Sequence, residues 1–136
     1  MENQQAIILI VDDNPNNIKV LFEVLEQANF CVLIAKNGES ALEKVAAVTP
    51  DLILLDLNLP KKSGVEVLEE IKTDINLKLI PVVILSTSAA PEDIIKSYSL
   101  HANCYITKPV DFVQFTKVVR LIEEFWLSVV QLPVIY

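Results

Sequence analysis

Five short apolar runs alternate with longer segments of helical periodicity, and this alternation constrains the fold more than any other feature of the sequence. The predicted strands are Ala6 to Val11, Cys31 to Ala35, Asp51 to Leu55, Val82 to Leu85 and Cys104 to Ile106. Each run is too short and too apolar to be a surface helix. Strands that alternate with helices form β/α units around a parallel sheet. The sequence therefore predicts an α/β domain with helices on both faces of one parallel sheet.

The segments between the strands carry signals for helix starts. Asn14 is a suitable N-cap for the first helix, and Pro15 suits its first position. The other four helices are predicted to begin near Glu39, to run through Val65 to Ile71, to open at Pro91 and to extend from Asp111 to about Val130.

The fifth predicted helix has apolar residues on more than one side. At about 100° per residue, one wide face carries Phe115, Val118, Val119, Ile122, Phe125, Trp126, Val129 and Val130. Apolar residues also occur on the opposite side and in the tail 131–136, namely Val113, Leu121, Leu127, Leu132 and Val134. Because exposed apolar patches often mark partner surfaces, we predict a homodimer contact at these five residues, three on the fifth helix of a domain spanning residues 1–130 and two in the tail 131–136. The alternative is a tail that folds back on its own domain.

Composition narrows the function classes. The 136 residues suit one domain, and the net charge of −7 with dispersed basic residues argues against nucleic-acid binding. No charge-free segment approaches the length of a membrane span, so we expect a soluble, cytoplasmic protein without membrane partners. Cys31 and Cys104 lie far apart in apolar stretches, which predicts reduced thiols rather than a disulfide or a zinc site.

Polar side chains follow four of the five predicted strands. Asp12 and Asp13 follow the first strand, Asp56 the third, Ser86 the fourth and Lys108 the fifth. The carboxyl ends of parallel strands form the site in open α/β sheets, so we expect these five residues to gather at one edge. Taken singly, each could be a solvated turn or a helix cap, but their joint order is hard to explain by chance.

Three clustered carboxylates repel one another unless a cation lies between them. Mg²⁺ prefers such oxygen ligands, so we predict Asp13 and Asp56 as direct ligands and Asp12 as a ligand through water. Asp56 is then the candidate nucleophile toward phosphorus, with Lys108 and Ser86 binding the phosphoryl oxygens. ATP is not expected as the direct donor, because the chain has only two glycines and no glycine-rich phosphate loop.

The motifs "VDDN", "LLDLNLP" and "YITKP", together with Ser86, resemble those of response regulator receiver domains, the phosphoacceptors of two-component signalling. The resemblance implies a flavodoxin-like (βα)5 three-layer sandwich with strand order 2-1-3-4-5. It also implies that Asp56 takes phosphate from a sensor histidine kinase, and that the backbone carbonyl of Asn58 completes the metal shell. The resemblance further implies a cis Lys108-Pro109 bond. It implies a switch in which Ser86 moves toward the phosphoryl group and Tyr105 swings inward, altering the face made by helix 4, strand 5 and helix 5; a static Tyr105 is the alternative.

The two halves of the chain resemble different receivers. The second half, with "SYSLHANCYITKPVDFVQF", is similar to stand-alone response regulators that partner phytochrome-type histidine kinases, whereas the first half is more similar to receivers of hybrid kinases. A recombined chain and a divergent natural member are both compatible with this pattern. His101 replaces the small residue, often glycine, of most receivers, and we expect it to pack in a loop beside strand 5.

Two competing functions differ in what they require. A phosphatase of the haloacid dehalogenase type would also use a strand-end Asp and Mg²⁺, but it needs a second acid where Asn58 stands. A non-phosphorylated adaptor that dimerises through its apolar helix 5 would not need the complete set of acids, serine and lysine. The sequence therefore favours the phosphoacceptor, which catalyses only its own phosphorylation and dephosphorylation.

Overall fold

The computed structural model describes residues 5–134, which form five parallel strands with helices on both faces. The strands are β1 (Ile7–Val11), β2 (Cys31–Ala35), β3 (Leu52–Leu55), β4 (Val82–Ser86) and β5 (Cys104–Thr107). The helices are α1 (Pro15–Gln27), α2 (Gly38–Val48), α3 (Gly64–Thr73), α4 (Pro91–Ser99) and α5 (Phe112–Glu124), and a π-helical turn (Phe125–Val129) follows. The sheet order β2-β1-β3-β4-β5 confirms the predicted flavodoxin-like fold.

Alternating residues of the strands feed two apolar layers. Leu9 and Val11 of β1 belong to a layer shared with α2 and α3, which we call the α2/α3 layer. Ile8 and Ile10 point the other way, into a layer shared with α1 and α5, the α1/α5 layer. A strand period of two places successive side chains on opposite faces, so a strand buried on both sides is apolar throughout. This explains why the strands read as continuous apolar runs.

The helix starts follow the chemistry of their caps. The Asn14 side chain accepts hydrogen bonds from two backbone N–H groups of α1, and Pro15 is the first helical residue, as predicted. Asn37 caps α2, which begins one residue earlier than expected, at Gly38. Ser63 caps α3 by accepting from the Glu66 N–H, a signal that the sequence prediction did not use. Only α4 begins without a side-chain cap at its N-cap residue, which is Ala90.

The end of the fifth helix differs from the prediction of one regular helix to Val130. The α-helix ends at Glu124 and the next five residues form the π-helical turn. A π-turn has more residues per turn than an α-helix, so the fixed angular step fails beyond it. Phe125 and Val129, which the helical periodicity placed on the wide apolar face, are exposed, whereas Leu127, placed on the opposite side, is partly buried against the α1/α5 layer.

Two local expectations are wrong. All peptide bonds between residues 5 and 134 are trans, including Lys108-Pro109, which was expected to be cis; trans is the favoured isomer of an X-Pro bond. His101 does lie in a turn, but it is exposed rather than packed beside β5. Its φ of 70° is a backbone conformation that glycine adopts without strain, which accounts for the small residue of other receivers.

Two further sequence predictions concern the thiols and membranes. Cys31 and Cys104 are both free and partly buried, in agreement with reduced thiols. Within residues 5–134, no helix combines the length and the apolar character that crossing a membrane requires.

Candidate functional site

The register of the sheet brings three carboxylates together at its carboxyl edge. Val11 pairs with Leu55, so the next residues, Asp12 and Asp56, emerge side by side from neighbouring strands. One carboxylate oxygen from each of Asp12, Asp13 and Asp56 lies within 4.8 Å of the others. Asp12 is 2% exposed and Asp56 is 8% exposed, whereas Asp13 is open to solvent.

Lys108 lies between the two buried acids. Its Nζ donates to Asp12 Oδ2 at 2.7 Å and to Asp56 Oδ2 at 3.2 Å, and the residue is only 4% exposed. The Lys108 backbone N–H donates to the Ser86 carbonyl, which fixes this residue beyond the end of β4. A buried ammonium needs opposite charge nearby, and the two carboxylates provide it. Lys108 is therefore a fixed positive charge inside the acidic cluster.

Each buried carboxylate also has a local backbone partner. Asp12 Oδ1 accepts from the Asn14 N–H at 2.9 Å, and Asp56 Oδ1 accepts from the Asn58 N–H at 3.2 Å. Within residues 5–134, no hydrogen bond reaches the Asp13 carboxylate. The cluster thus combines two oriented carboxylates with one that is free to bind, all of them oxygen donors of the kind that divalent cations prefer.

Asp56 has a perturbed acidity. Burial is the main cause that raises the pKa of its carboxyl group, and the Asp12 carboxylate acts in the same direction. The Lys108 ammonium and the Asn58 N–H lower this pKa and offset part of the effect. A bound cation next to Asp56 would add to the Lys108 effect, since an opposite charge favours the ionised carboxylate.

Gly64 allows the start of α3 to lie against the backbone of Asp56. A Cβ atom at Gly64 would lie 2.2 Å from the Asp56 carbonyl oxygen and 2.5 Å from Leu57 Cα. The Gly64 N–H also donates to the Leu57 carbonyl at 2.9 Å. Gly64 is therefore a positioning residue for Asp56, and the sequence prediction missed it because the contact joins a loop to a helix start.

Ser86, at the end of β4, and Tyr105, in β5, both contact the loop between β4 and α4. Ser86 is fully buried, and its Oγ accepts from the Ser88 N–H at 3.2 Å. Tyr105 is half-buried against the α2/α3 layer, and its hydroxyl donates to the Ser88 carbonyl at 2.8 Å. Ser86 and Tyr105 therefore both form hydrogen bonds with Ser88 of this loop.

The residues predicted for a dimer contact have different exposures. Val113, Leu121 and Val134 are exposed, whereas Leu132 and Leu127 are half-buried. An apolar groove of about 300 Å³ runs between β5 and the end of α5. Its lining is Cys104, Ile106, Val118, Leu121, Ile122, Phe125 and Trp126. Leu121 lies in this groove and Val113 does not.

A second groove borders the acidic cluster. It has a volume of about 490 Å³ and separates the start of α1 from the loop before α5. Asn14, Asn16 and Asn17 line one side, and Val110 and Phe112 line the other. Val110 and Phe112 are exposed apolar residues, so the rim of this groove combines polar side chains on one side with apolar side chains on the other.

Known proteins resemble most of the chain. The response regulator receiver domain family matches residues 8–120. Response regulator Rcp1 of Synechocystis sp. is 44% identical over 140 residues, covering 96% of this chain and 95% of Rcp1. That match spans both halves, so the mixed resemblance does not require a recombined chain.

Two solved structures have the same fold. The Mn²⁺-bound form of Rcp1 has a TM-score of 0.91 and 43% identity, covering 95% of this chain and 99% of Rcp1. The phosphorylated cyanobacterial phytochrome response regulator RcpA has a TM-score of 0.93 and 46% identity, covering 96% of this chain and all of RcpA. With its strand order, its acidic cluster and these matches, the chain belongs to the response regulator receiver domain family.

Proposed function

We propose that this protein is the phosphoacceptor of a cytoplasmic two-component pathway, with Asp56 taking phosphate from a sensor histidine kinase. The observation that carries the proposal is the buried ion pair of Lys108 with Asp12 and Asp56. A lysine held by two acids at a strand edge suits phosphoryl transfer, which needs positive charge close to a carboxylate nucleophile.

The proposed chemistry is a displacement at phosphorus. An Asp56 carboxylate oxygen attacks the phosphorus of a phosphohistidine and forms the new P–O bond, while the electron pair of the breaking P–N bond goes to the ring nitrogen, which takes up a proton from water as neutral imidazole leaves. Lys108 binds one oxygen of the transferred group, and the Ser86 hydroxyl donates to another. Burial of Asp56, Lys108 and Ser86 strengthens these interactions because water competes less.

We propose Mg²⁺ as the cation of the acidic cluster. Asp13 and Asp56 would bind it directly, Asp12 through water, and the Asn58 carbonyl would complete the set. When bound, Mg²⁺ neutralises charge on the phosphoryl oxygens. The free Asp13 carboxylate supports this assignment, and the Mn²⁺ of Rcp1 is a divalent ion with similar ligand preferences.

The groove between α1 and the loop before α5 is the proposed docking surface for the kinase. It borders the acidic cluster, and its rim presents Val110 and Phe112 beside the amide side chains of α1. An apolar anchor with a polar rim is the usual composition of a transient interface. The similarity to RcpA, a phytochrome response regulator, suggests a phytochrome-type kinase.

A homodimer through α4, β5 and α5 is the proposed signalling assembly. Leu121 and Phe125 beside the apolar groove provide the exposed area, and Leu132 and Val134 of the tail 131–136 extend it. A Leu121→Glu variant should sediment as a smaller species than the native chain, while Ile75→Glu, at another exposed apolar residue, should not. Equal masses for all three would remove Leu121 from the interface.

The proposed function is tested by intact mass after incubation with Mg²⁺ and acetyl phosphate. We expect one phosphate adduct on the native chain, none on Asp56→Asn, and none when EDTA replaces Mg²⁺. No adduct on the native chain, with cation binding demonstrated, would favour the adaptor. Steady turnover of small phosphate esters would instead favour the phosphatase.

A further inference from the structure

Ser88 uses all of its polar groups, and each one contacts a different part of the switch region. Its N–H donates to Ser86 Oγ at 3.2 Å, and its carbonyl accepts from the Tyr105 hydroxyl at 2.8 Å. Its own hydroxyl donates to the Asp93 carboxylate and accepts from the Ala90 N–H. One residue therefore connects the proposed phosphoryl-binding serine, the proposed switch tyrosine and the first turn of α4.

The bond to Asp93 anchors a helix that lacks its own cap. Ala90, the N-cap residue of α4, has no side chain that could accept from the first turn. The Ser88 hydroxyl accepts from the Ala90 N–H and is held in turn by Asp93. Asp93 is itself fixed, because its carbonyl accepts from the buried Ser97 hydroxyl at 2.8 Å. The loop after β4 is thus attached to α4 through a side chain.

The same bonds determine how Ser86 can act. A serine hydroxyl has one donor hydrogen and two acceptor lone pairs. The Ser88 N–H occupies a lone pair of Ser86 Oγ, and within residues 5–134 that hydroxyl donates to no protein atom. Its hydrogen is therefore free for a phosphoryl oxygen, while the Ser88 N–H limits rotation of the side chain.

We propose that Ser88, anchored by Asp93, is a positioning residue that orients the Ser86 hydroxyl for the phosphoryl group on Asp56 and couples it to α4 and Tyr105. This inference rests on the proposed function. Loss of a charge-assisted hydrogen bond shifts a two-state loop by roughly tenfold or more. Removing the Ser88 hydroxyl should therefore release the loop, although the backbone bonds to Ser86 and Tyr105 remain available.

The test is the rate of phosphorylation by acetyl phosphate at saturating Mg²⁺. We expect Ser88→Ala and Asp93→Ala to be at least fivefold slower than the native chain, and Ser88→Thr to retain the native rate because it keeps a hydroxyl. The double alanine variant should be no slower than the slower single variant, since both remove the same bond. Ser99→Ala, an exposed hydroxyl on the same helix, is the matched control and should not change the rate.

A second readout separates positioning from general destabilisation. The ring resonances of Tyr105 should shift in both alanine variants and return to native values in Ser88→Thr. If Ser88→Ala fails to fold, Asp93→Asn tests the same bond, with a smaller expected decrease in rate. Native rates in Ser88→Ala or Asp93→Asn, or additive effects of the two alanine substitutions, would overturn the inference. Absence of phosphate on the native chain would instead refute the proposed function.

Discussion

Substituting Gly64 by alanine should slow the phosphorylation of Asp56, although Gly64 is not itself a member of the acidic cluster. The added Cβ would lie 2.2 Å from the Asp56 carbonyl oxygen, whereas ordinary contacts begin at 3.4 Å, so the two backbones must separate by about 1 Å. Overpacking of this kind costs about 1–3 kcal/mol of unfolding free energy. A displacement of about 1 Å in a reacting group can lower a rate by as much as ~10²-fold. We therefore expect both a less stable protein and much slower phosphate transfer.

The assay compares Gly64→Ala with a variant that loses stability elsewhere on α3. Ile71→Val removes one buried methyl group from the α2/α3 layer and should cost about 0.5–1.5 kcal/mol without moving Asp56. Urea unfolding gives the stability of each variant, and the acetyl phosphate reaction gives the rate. We expect the rate to fall only in Gly64→Ala. If Gly64→Ala is phosphorylated as fast as Ile71→Val, the close approach of α3 does not position Asp56.

Three further perturbations have defined outcomes. Thr49 is β-branched and has a φ of 54°, a backbone conformation that glycine adopts without strain. Urea unfolding should therefore show an unfolding free energy about 0.5–1 kcal/mol higher for Thr49→Gly than for the native chain, and no increase for Thr49→Ala. Desolvation lowers the pKa of Lys72 from 10.5 to about 8. Because the folded protein loses this proton at a lower pH than the unfolded protein does, the unfolding free energy should rise between pH 8 and pH 10.5. Urea midpoints at pH 8 and 10 should show this rise in the native chain and not in Lys72→Gln. Lys108→Met removes the ammonium beside Asp12 and should tighten Mn²⁺ binding at least ~10-fold by titration, while it slows phosphorylation.

The fold could be predicted because its signals are local. The central strands β1, β3 and β4 are buried on both faces, so their sequences are almost wholly apolar, whereas the edge strands β2 and β5 are only partly buried. The strand-end residues could be predicted for a related reason. In a parallel sheet, the register aligns the carboxyl ends, so Asp12 and Asp56 must be neighbours once β1 and β3 pair.

The positioning residues could not be predicted in this way, because their contacts depend on loop geometry. Gly64 matters through its distance to the Asp56 carbonyl oxygen, and a lone glycine at a helix start gives no hint of it. Ser88 and Asp93 form a hydrogen bond five residues apart across a helix start, where no fixed periodicity applies. The π-helical turn defeated the angular extrapolation for the same reason, since one wider turn changes which side Leu127 faces.

Strand β5 links the acidic cluster to the proposed signalling face. Lys108 lies just beyond its end among the carboxylates, and Tyr105, three residues earlier, packs toward the α2/α3 layer. Cys104 and Ile106 point the other way, into the apolar groove that also contains Trp126. A movement of Lys108 toward a phosphoryl group would therefore displace β5, an edge strand whose side chains pack against both layers. Since Trp126 is the only tryptophan, its fluorescence should report phosphorylation of Asp56 from the far side of this strand, and an Asp56→Asn variant should abolish that change.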